Sequence, residues 1–575
     1  MTPSIPVGEV RLLGDRAFLI GVADAAAARA LAGELTIALA GGADAIGPAA
    51  GGADAAEAVE VVCGAATVLV HATGADTELG PLLARAEAVC HDLSRGGPST
   101  QPAVMPGIVT IPCRFDGPDV DEVAALAGCR RDEVVELLTA RPLTVAVVGF
   151  SPGFAYLEGL PPSLRAVPRR SRPRPVVPAG SVAIANGHAA VYPTASPGGW
   201  HVLGRTGFAL FTAERPPYAV LAPGDRIRFT VAEADEPTEP EPLRAPDWSP
   251  PATARAVFEV VAPGLRAVVQ DGGRRNVAAV GVPAAGPADP VSFALANRLA
   301  GNEAGAGTLE LTGGGTRLRC LTECHVAVVG AAPDVRVDGT AELAGQLLPL
   351  RAGQVLAIGR QRAGCRSYLS VAGGVLGPEW FGSSGTDELT GLGAGPLAAG
   401  DVVCAGAWAP PLGDHVLGGG VTDMDASSVV ELRVLPGPHA EQFKDEVLAR
   451  LDKSVFVVQP DSNRVGLRLR SAAGAPPWRD GPTGGGLDSQ GVVTGAVQVP
   501  PDGDPVVLMT DHATLGGYPV VAVVVAADHG LLGQCAPGTQ VRLVPIGLDE
   551  ADEARRAARR ELARAVAGPY PLAVD

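Results

Sequence analysis

The chain has 575 residues and a net charge of −17, an acidic balance that argues against nucleic acid or an anionic membrane as its main partner. Its 75 Gly and 52 Pro, with aromatics at only 4%, favour β structure with many turns over helical bundles. No apolar run reaches the ~18 residues of a membrane span. Of the 45 basic residues only Lys444 and Lys453 are lysine, and neither sits in G-x-x-x-x-G-K-[ST], which excludes a P-loop NTPase.

At a prior of roughly 150 residues per domain, about three to five domains are expected. The N-terminus, MTPSIPVGEVRLLGD, lacks the basic-then-apolar layout of a signal peptide and predicts a cytoplasmic protein. Residues 1–100 read as a small α+β domain: a strand pair in 8-GEVRLLGDRAFLIGV-22, an Ala-rich helix over 24–40, a strand in 66-ATVLVHA-72 and a helix over 76–93. A linker, 94-SRGGPSTQPAVMPG-107, leads into a strand-rich domain over 101–231 with one helix near 119–140. The acidic, Pro-rich stretch 232–253 predicts an extended linker. The second half divides into domains over 254–412 and 413–548, followed by a helix and tail over 549–575.

A repeat runs through both halves: 221-LAPGDRIRF-229, 350-LRAGQVLAI-358, 397-LAAGDVV-403 and 535-CAPGTQVRL-543. Each is a Gly turn leading into an alternating strand. The repeat predicts equivalent β-barrels, one in the first half and two in the second. The fold class is therefore mainly β with an α+β N-terminal domain and tandem barrels. The nine cysteines are irregularly spaced, as expected of reduced, buried thiols. In 320-CLTECH-325 no fourth metal ligand is evident, and no metal site is predicted.

The chemistry concentrates after the apolar strand 143-LTVAVVG-149. In 149-GFSPGFAYLEGLP-161 a glycine- and proline-constrained turn carries Phe150, Ser151, Phe154 and Tyr156, more aromatic surface than a tight turn requires. The following 168-PRRSRPRPVVPAGSVAIANGHAAVYPTASPGGWHVLGRT-206 supplies Arg169, Arg174, Ser181, Trp200 and Arg205. Arginine forks bind carboxylate or phosphate, and turn amides can nest an anion, so the expectation is an anion-recognising cleft walled by aromatic rings. In the second half, Asp271 and Arg274 follow a strand, and Asp289 and Asn297 lie on one predicted helix. Asp511, His512 and Thr514 precede a Gly-Gly-Tyr518 turn, with Arg464 as an orienting cation. Asp511 and His512 are the candidates for proton transfer and Arg274 for stabilising charge.

These blocks resemble a known pair of families. GFSPGFAYLEGLP, PRRSRPRPVVPAGSVAIA and YPTASPGGWHVLGRT resemble the B-type subunit of 5-oxoprolinase, also called the KipI or allophanate-hydrolase-subunit-1 type. The second half resembles the C-type subunit of 5-oxoprolinase, or KipA, through 269-VQDGGRRNVAAVGVPAAGPADPVSFALANRLAGNEAGAGTLELT-312, 382-GSSGTD-387, 461-DSNRVGLRL-469 and 497-VQVPPDGDPVVLMTDHATLGGYP-519. The resemblance implies cyclophilin-like barrels in a natural B–C fusion. It implies a component of ATP-dependent opening of 5-oxoproline to glutamate, with ATP and Mg as cofactor and a 5-oxoprolinase A-type subunit in trans. Two alternatives stay open: the carboxyltransferase part of a urea carboxylase, served by a biotin carrier protein in trans, and a non-catalytic kinase regulator. No covalently attached cofactor is expected, and a homo-oligomer is compatible with the sequence. The chain departs from the family at Leu138–Thr139 (usually His), Ser384 (usually Arg), Ala513 (usually Gln) and Leu515 (usually Thr), and Cys63 stands where Pro is usual.

Overall fold

The computed structural model describes residues 7–39, 59–74, 77–95, 107–213, 218–233, 236–241, 243, 248–331, 333–408, 416–417, 428–443, 447–474, 478 and 487–567. The predicted boundary at 412/413, most of the 94–107 linker and the tail from 568 lie outside these residues. No helix among the described residues is long and apolar enough to cross a membrane.

The first unit is an antiparallel sheet of strands Val7–Leu12, Ala17–Val22, Thr67–Ala72 and Val59–Cys63, in that order. Alternation gives the sheet two apolar faces. Phe18, Ile20, Val68 and Val70 pack under helices Ala25–Leu39 and Leu79–Ser94. Ala17, Leu19, Val62 and Leu69 face the other way, into a core shared with both halves of the chain. The strand Val59–Cys63 was not read from the sequence, although it carries Glu60.

The second unit is a seven-stranded sheet running from His201–Arg205 to Ile108–Cys113. A bridge between Arg114 and Arg205 joins its two edge strands, so the sheet closes on itself. The single helix expected near 119–140 is two, Val120–Ala127 and Arg131–Thr139. They are divided at Gly128, whose φ of 67° a side chain would resist. The Pro-rich stretch read as an extended linker touches the barrel: Gly207 N donates to Pro237 O at 2.9 Å, and Leu243 packs on its core.

Residues 255–405 form two sheets, of seven and five strands, and a closed seven-stranded barrel follows from Val430–Pro436 to Gln540–Pro545. The molecule is thus mainly β with barrel sheets. Helix Leu548–Ala565 docks back through Arg298 Nη1, which donates to Leu562 O at 2.7 Å.

The repeated Gly turn has one geometry at all four sites. Gly224, Gly353, Gly400 and Gly538 all have positive φ, at 101°, 90°, 93° and 88°. The residue after each glycine donates its N–H to a carbonyl three positions back. At Asp225, Gln354 and Asp401 the side chain also accepts from that same residue's N–H, at 2.8, 2.8 and 2.7 Å. The strands that follow diverge in role. Arg226–Val231 and Gln540–Pro545 each run parallel to the first strand of their barrel. Val402–Ala405 pairs antiparallel with its first strand, and Val355–Gln361 lies within a sheet. Two of the four repeats therefore close equivalent barrels with the same polarity.

The turn carries a stability prediction. Gly538→Ala forces an alanine into the left-handed region and lowers stability by about 1–3 kcal/mol. Gly547→Ala, at an open position without positive φ, leaves it unchanged. Denaturant midpoints of the two variants check this.

Candidate functional site

Strand Leu143–Val148 ends in a loop that must turn back onto strand Ala155–Glu158 within six residues. Gly149 N donates to Phe154 O, and Phe154 N to Ser151 O, both at 3.0 Å. Phe150 is held at φ 73°, a conformation costly for a bulky residue and one that persists only where its surroundings enforce it. The enforcement comes from the second half of the chain. A methyl group on Gly149 would stand 2.3 Å from the Leu515 side chain and 3.2 Å from Thr514 Oγ1, and one on Gly281 would stand 2.3 Å from Ser151 O.

Behind the loop the aromatic rings pack edge to face. Phe154 lies 5.4 Å from Phe150, 4.9 Å from Tyr156, 5.3 Å from Tyr192 and 5.9 Å from Trp200. Tyr156 is 5.7 Å from Trp200 and 6.0 Å from His188. The cluster belongs to the core that also holds Leu13 and Leu69 of the first unit and Val492, Leu508 and Leu515 of the last barrel. Sequence-distant aromatic residues do converge, at a junction of three units.

Polar groups at this junction come from all sides. Burial pushes the Tyr156 phenol up, with the Ser489 hydroxyl beside it opposing. Glu60 reaches from the first unit to accept from Ala278 N at 2.8 Å, and its carboxyl is raised by burial. Thr514 Oγ1 and Gln498 Nε2 are buried without a hydrogen-bond partner. Gln498 Nε2 lies 2.4 Å from where a methyl on Gly516 would be. Buried unpaired groups of this kind call for an explanation in a native fold.

The arginines expected to bind anions are mostly committed within the chain. Arg174 forks onto Asp119 at 2.8 and 2.7 Å. Asp119 also accepts from Arg170 Nη1 at 2.8 Å and Val202 N at 2.7 Å. Burial pushes the Asp119 carboxyl up, and Arg174 and Val202 bring it below its usual range. Arg205 pairs with Asp116 at 2.7 Å on the surface. Ser181 is a buried strand residue. Arg169 keeps its side chain exposed and has no ion pair among the described residues.

The second-half candidates form a buried ionic core. Arg464 chelates Asp511 through two bonds of 2.9 Å, and donates to Glu310 at 2.7 Å and Gly286 O at 2.6 Å. Glu310 also receives Tyr368 Oη at 2.7 Å and Ala288 N at 3.0 Å. Burial raises the Glu310 carboxyl, but Arg464 and Arg366 more than offset this. Arg274 lies 3.4 Å from Asp387, which burial, then Asp511, push up to about 6. Asp271 accepts from Ser383 Oγ at 2.5 Å and Ser384 N at 2.7 Å. Asp289 caps helix Pro290–Leu299 and takes Gln534 Nε2 at 2.8 Å. Asn297 ties to Ser370, Thr308 and Ala306.

Asp511, Arg274, Arg464, Asp271, Asp289 and Asn297 are thus each held by ion pairs or hydrogen bonds within the chain. Arg464, Asp511 and Asp289 bond across the two second-half units, whereas Asp271 and Asn297 bond within one, and Arg274 Nε is buried without a partner. His512 is part-buried, with Nδ1 2.8 Å from Ala513 O and its pKa lowered by burial. Tyr518 is 39% exposed. Sequence reading missed Asp119, Glu60, Ser489 and Asp387. The one usable signal was Asp119 at the start of a helix, upstream of an arginine run that needed a counter-charge.

The profile of the carboxyltransferase domain, subdomains C and D, matches residues 9–221, and that of subdomains A and B matches 280–545. The chain is 34% identical to the C-type subunit of 5-oxoprolinase from Escherichia coli over 313 residues, 53% of this chain and 96% of that protein. It is 41% identical to the B-type subunit of 5-oxoprolinase from Bacillus subtilis over 132 residues, 22% of this chain and 55% of that protein. Urea amidolyase of Lachancea kluyveri matches at 33% over 50% of this chain, which spans 17% of that protein. The crystal structure of TTHA0988 superposes with a TM-score of 0.77 at 34% identity, covering 92% of this chain and 99% of that one. The chain belongs to the family of 5-oxoprolinase B-type and C-type carboxyltransferase domains. Both types are joined here in one polypeptide.

Three of the departures from the family pattern fall in packed positions. Leu138 is in the barrel core, Leu515 presses on Gly149, and Ser384 Oγ donates to Gly377 O at 3.1 Å.

Two outcomes follow from the buried charges. Asp511→Ala leaves Arg464 without its bidentate partner and lowers stability by about 3–5 kcal/mol in denaturant titrations. The second concerns pH. Burial, reinforced by Arg16, lowers the His71 pKa from 6.5 to about 3. Burial, reinforced by Arg11, lowers that of His439 from 6.5 to about 4. Both lowered pKa values give stability that is present above pH 6.5. It is lost below that, as the unfolded chain takes up protons the fold refuses, at about 1.4 kcal/mol per pH unit for each histidine. Asp387, shifted upward, works the other way between pH 6 and 4, but His71 and His439 together outweigh it. The melting temperature therefore falls from pH 6.5 to 4.5, and His71→Gln flattens the slope.

Proposed function

We propose that this chain is the fused B–C component of an ATP-dependent 5-oxoprolinase, opening 5-oxoproline to glutamate together with an A-type subunit supplied in trans. The observation that carries the reading is the junction itself: the GFSPGF loop of the B-type half is held in a strained conformation by Leu515 and Gly281 of the C-type half. Neither half completes it alone. The relatives named as B-type and C-type subunits of 5-oxoprolinase match the respective halves and support the same assignment.

An amide resists attack because resonance holds its carbonyl, so opening a lactam requires donors aimed at the carbonyl oxygen where water is restricted. Thr514 Oγ1 and Gln498 Nε2, buried beside the loop and unpaired, are groups of the right chemistry. The aromatic wall of Phe150, Phe154 and Tyr156 limits water. A triphosphate fits poorly. Of the five arginines expected to hold anions, Arg174, Arg205, Arg274 and Arg464 are paired with carboxylates. In this reading the nucleotide is handled with the A-type partner, and no step here is routed through it.

A second reading, carboxyl transfer to a urea-like amide from a biotin carrier in trans, is favoured by the carboxyltransferase description of both matched profiles.

Purified chain mixed with the cognate A-type partner, ATP and Mg converts 5-oxoproline to glutamate, and either protein alone does not. Thr514→Val lowers that turnover by about 10- to 100-fold without moving the melting temperature. No glutamate with a cognate A-type partner, together with recovery of a biotinylated protein on the immobilised chain, turns the assignment to carboxyl transfer.

A further inference from the structure

Arg169 is fixed at its backbone and free at its head. Its N–H donates to Asn186 Oδ1 at 3.2 Å. On either side, Pro168 O lies 3.1 Å from His201 Nε2, and Arg170 N donates to Gly199 O at 2.8 Å. These bonds set residue 169 alongside Trp200, at the rim of the aromatic cluster. The side chain is exposed, with no carboxylate paired to it among the described residues. Its charge reaches the Tyr156 and Tyr192 hydroxyls, where it opposes the upward push of burial.

Tyr192 is 2% exposed, its ring packed on Phe154. Its hydroxyl has no hydrogen-bond partner among the described residues. That oxygen rests against Gly198, where a methyl group would come within 2.4 Å of it. The neighbouring Arg174 is held by Asp119 and is not available to it. A phenol hydroxyl and a guanidinium, each without a partner among the described residues, thus lie at the rim of the aromatic cluster. An Arg fork and a phenolic donor match a carboxylate, and the apolar wall strengthens such a bond.

We propose that Arg169 and the Tyr192 hydroxyl form a carboxylate subsite that selects a lactam bearing a carboxylate over carboxylate-free amides such as urea. This rests on the oxoprolinase reading and names its specificity determinant. The lactam ring lies toward Tyr156 and Phe154, and the carboxylate toward solvent.

The test is calorimetric titration of the full chain, with and without the A-type partner, using 5-oxoproline and its carboxylate-free analogue 2-pyrrolidinone. Arg169→Gln weakens 5-oxoproline by about tenfold or more and leaves 2-pyrrolidinone unchanged; Arg169→Lys falls between. Tyr192→Phe weakens 5-oxoproline several-fold at an unchanged melting temperature. Equal 5-oxoproline affinity in wild type and Arg169→Gln overturns the subsite, as does failure of wild type to bind 5-oxoproline in either setting. Carboxylate-dependent binding without turnover keeps the subsite and removes the oxoprolinase reading. Turnover by Arg169→Gln at an unchanged KM does the reverse.

Discussion

A guanidinium does not shed its proton when buried, so each buried arginine must meet a carboxylate or carbonyl oxygens. That constraint organises the second half of this protein. Arg464 comes from one unit and Glu310 from the other, and the 2.7 Å bond between them joins the two. Asp511 takes the other edge of the same guanidinium, and its Oδ2 accepts from Glu388 N at 2.9 Å. Replacing any member leaves an uncompensated charge in the interior. Arg464, Asp511 and Glu310 thereby hold the two units in register.

The same constraint runs through the first half with a different result. Asp119 collects Arg170 and Arg174 and caps the arrangement with Val202 N. Four oxygen–nitrogen contacts leave that carboxylate little capacity for anything else. Asp119, Glu122 and His201 have the separations of a metal site, but Arg170 Nη1 already lies 2.8 Å from both carboxylates and supplies the positive charge a cation would bring. What remains open is decided by subtraction. Arg169 sits one residue from Arg170, yet its backbone bonds direct it to the aromatic rim rather than to Asp119.

The fold was legible where it rested on periodicity and punctuation. The alternation in 8–22, the Ala-rich helix and the four Gly turns are local signals, and the structure expresses each. The repeat did not fix the pairing: the same turn feeds parallel closing strands at Arg226–Val231 and Gln540–Pro545 but antiparallel strands at Val402–Ala405 and Val355–Gln361, so two closing strands of this kind form where three equivalent barrels were expected. The single helix near 119–140 failed at Gly128, where a Gly inside a helical pattern is a C-cap when φ is positive. The site was legible only in its apolar part. Phe150, Phe154, Tyr156 and Trp200 announce themselves as excess aromatic surface, whereas the partner of a charged residue is a three-dimensional fact. Nothing local in DSNRVGL says that Arg464 meets Glu310, 154 residues away. Sequence reading therefore left the in-chain carboxylate partners of Arg174, Arg274 and Arg464 unnamed.

Fusion of the two halves follows the same logic. The core under the GFSPGF loop draws side chains from the N-terminal sheet, the first barrel and the last barrel together. Phe150 in its left-handed conformation is stable only against that assembled surface. If the halves were separate chains, the loop would relax whenever they parted, and the strain would weaken their association. Joining them through a Pro-rich segment that itself packs on the first barrel raises the effective concentration of one half at the other. The unpaired Thr514 and Gln498 groups then stay in place beside the loop. A junction built this way is set before any substrate arrives, and preorganised donors of that kind are most effective at a developing oxyanion.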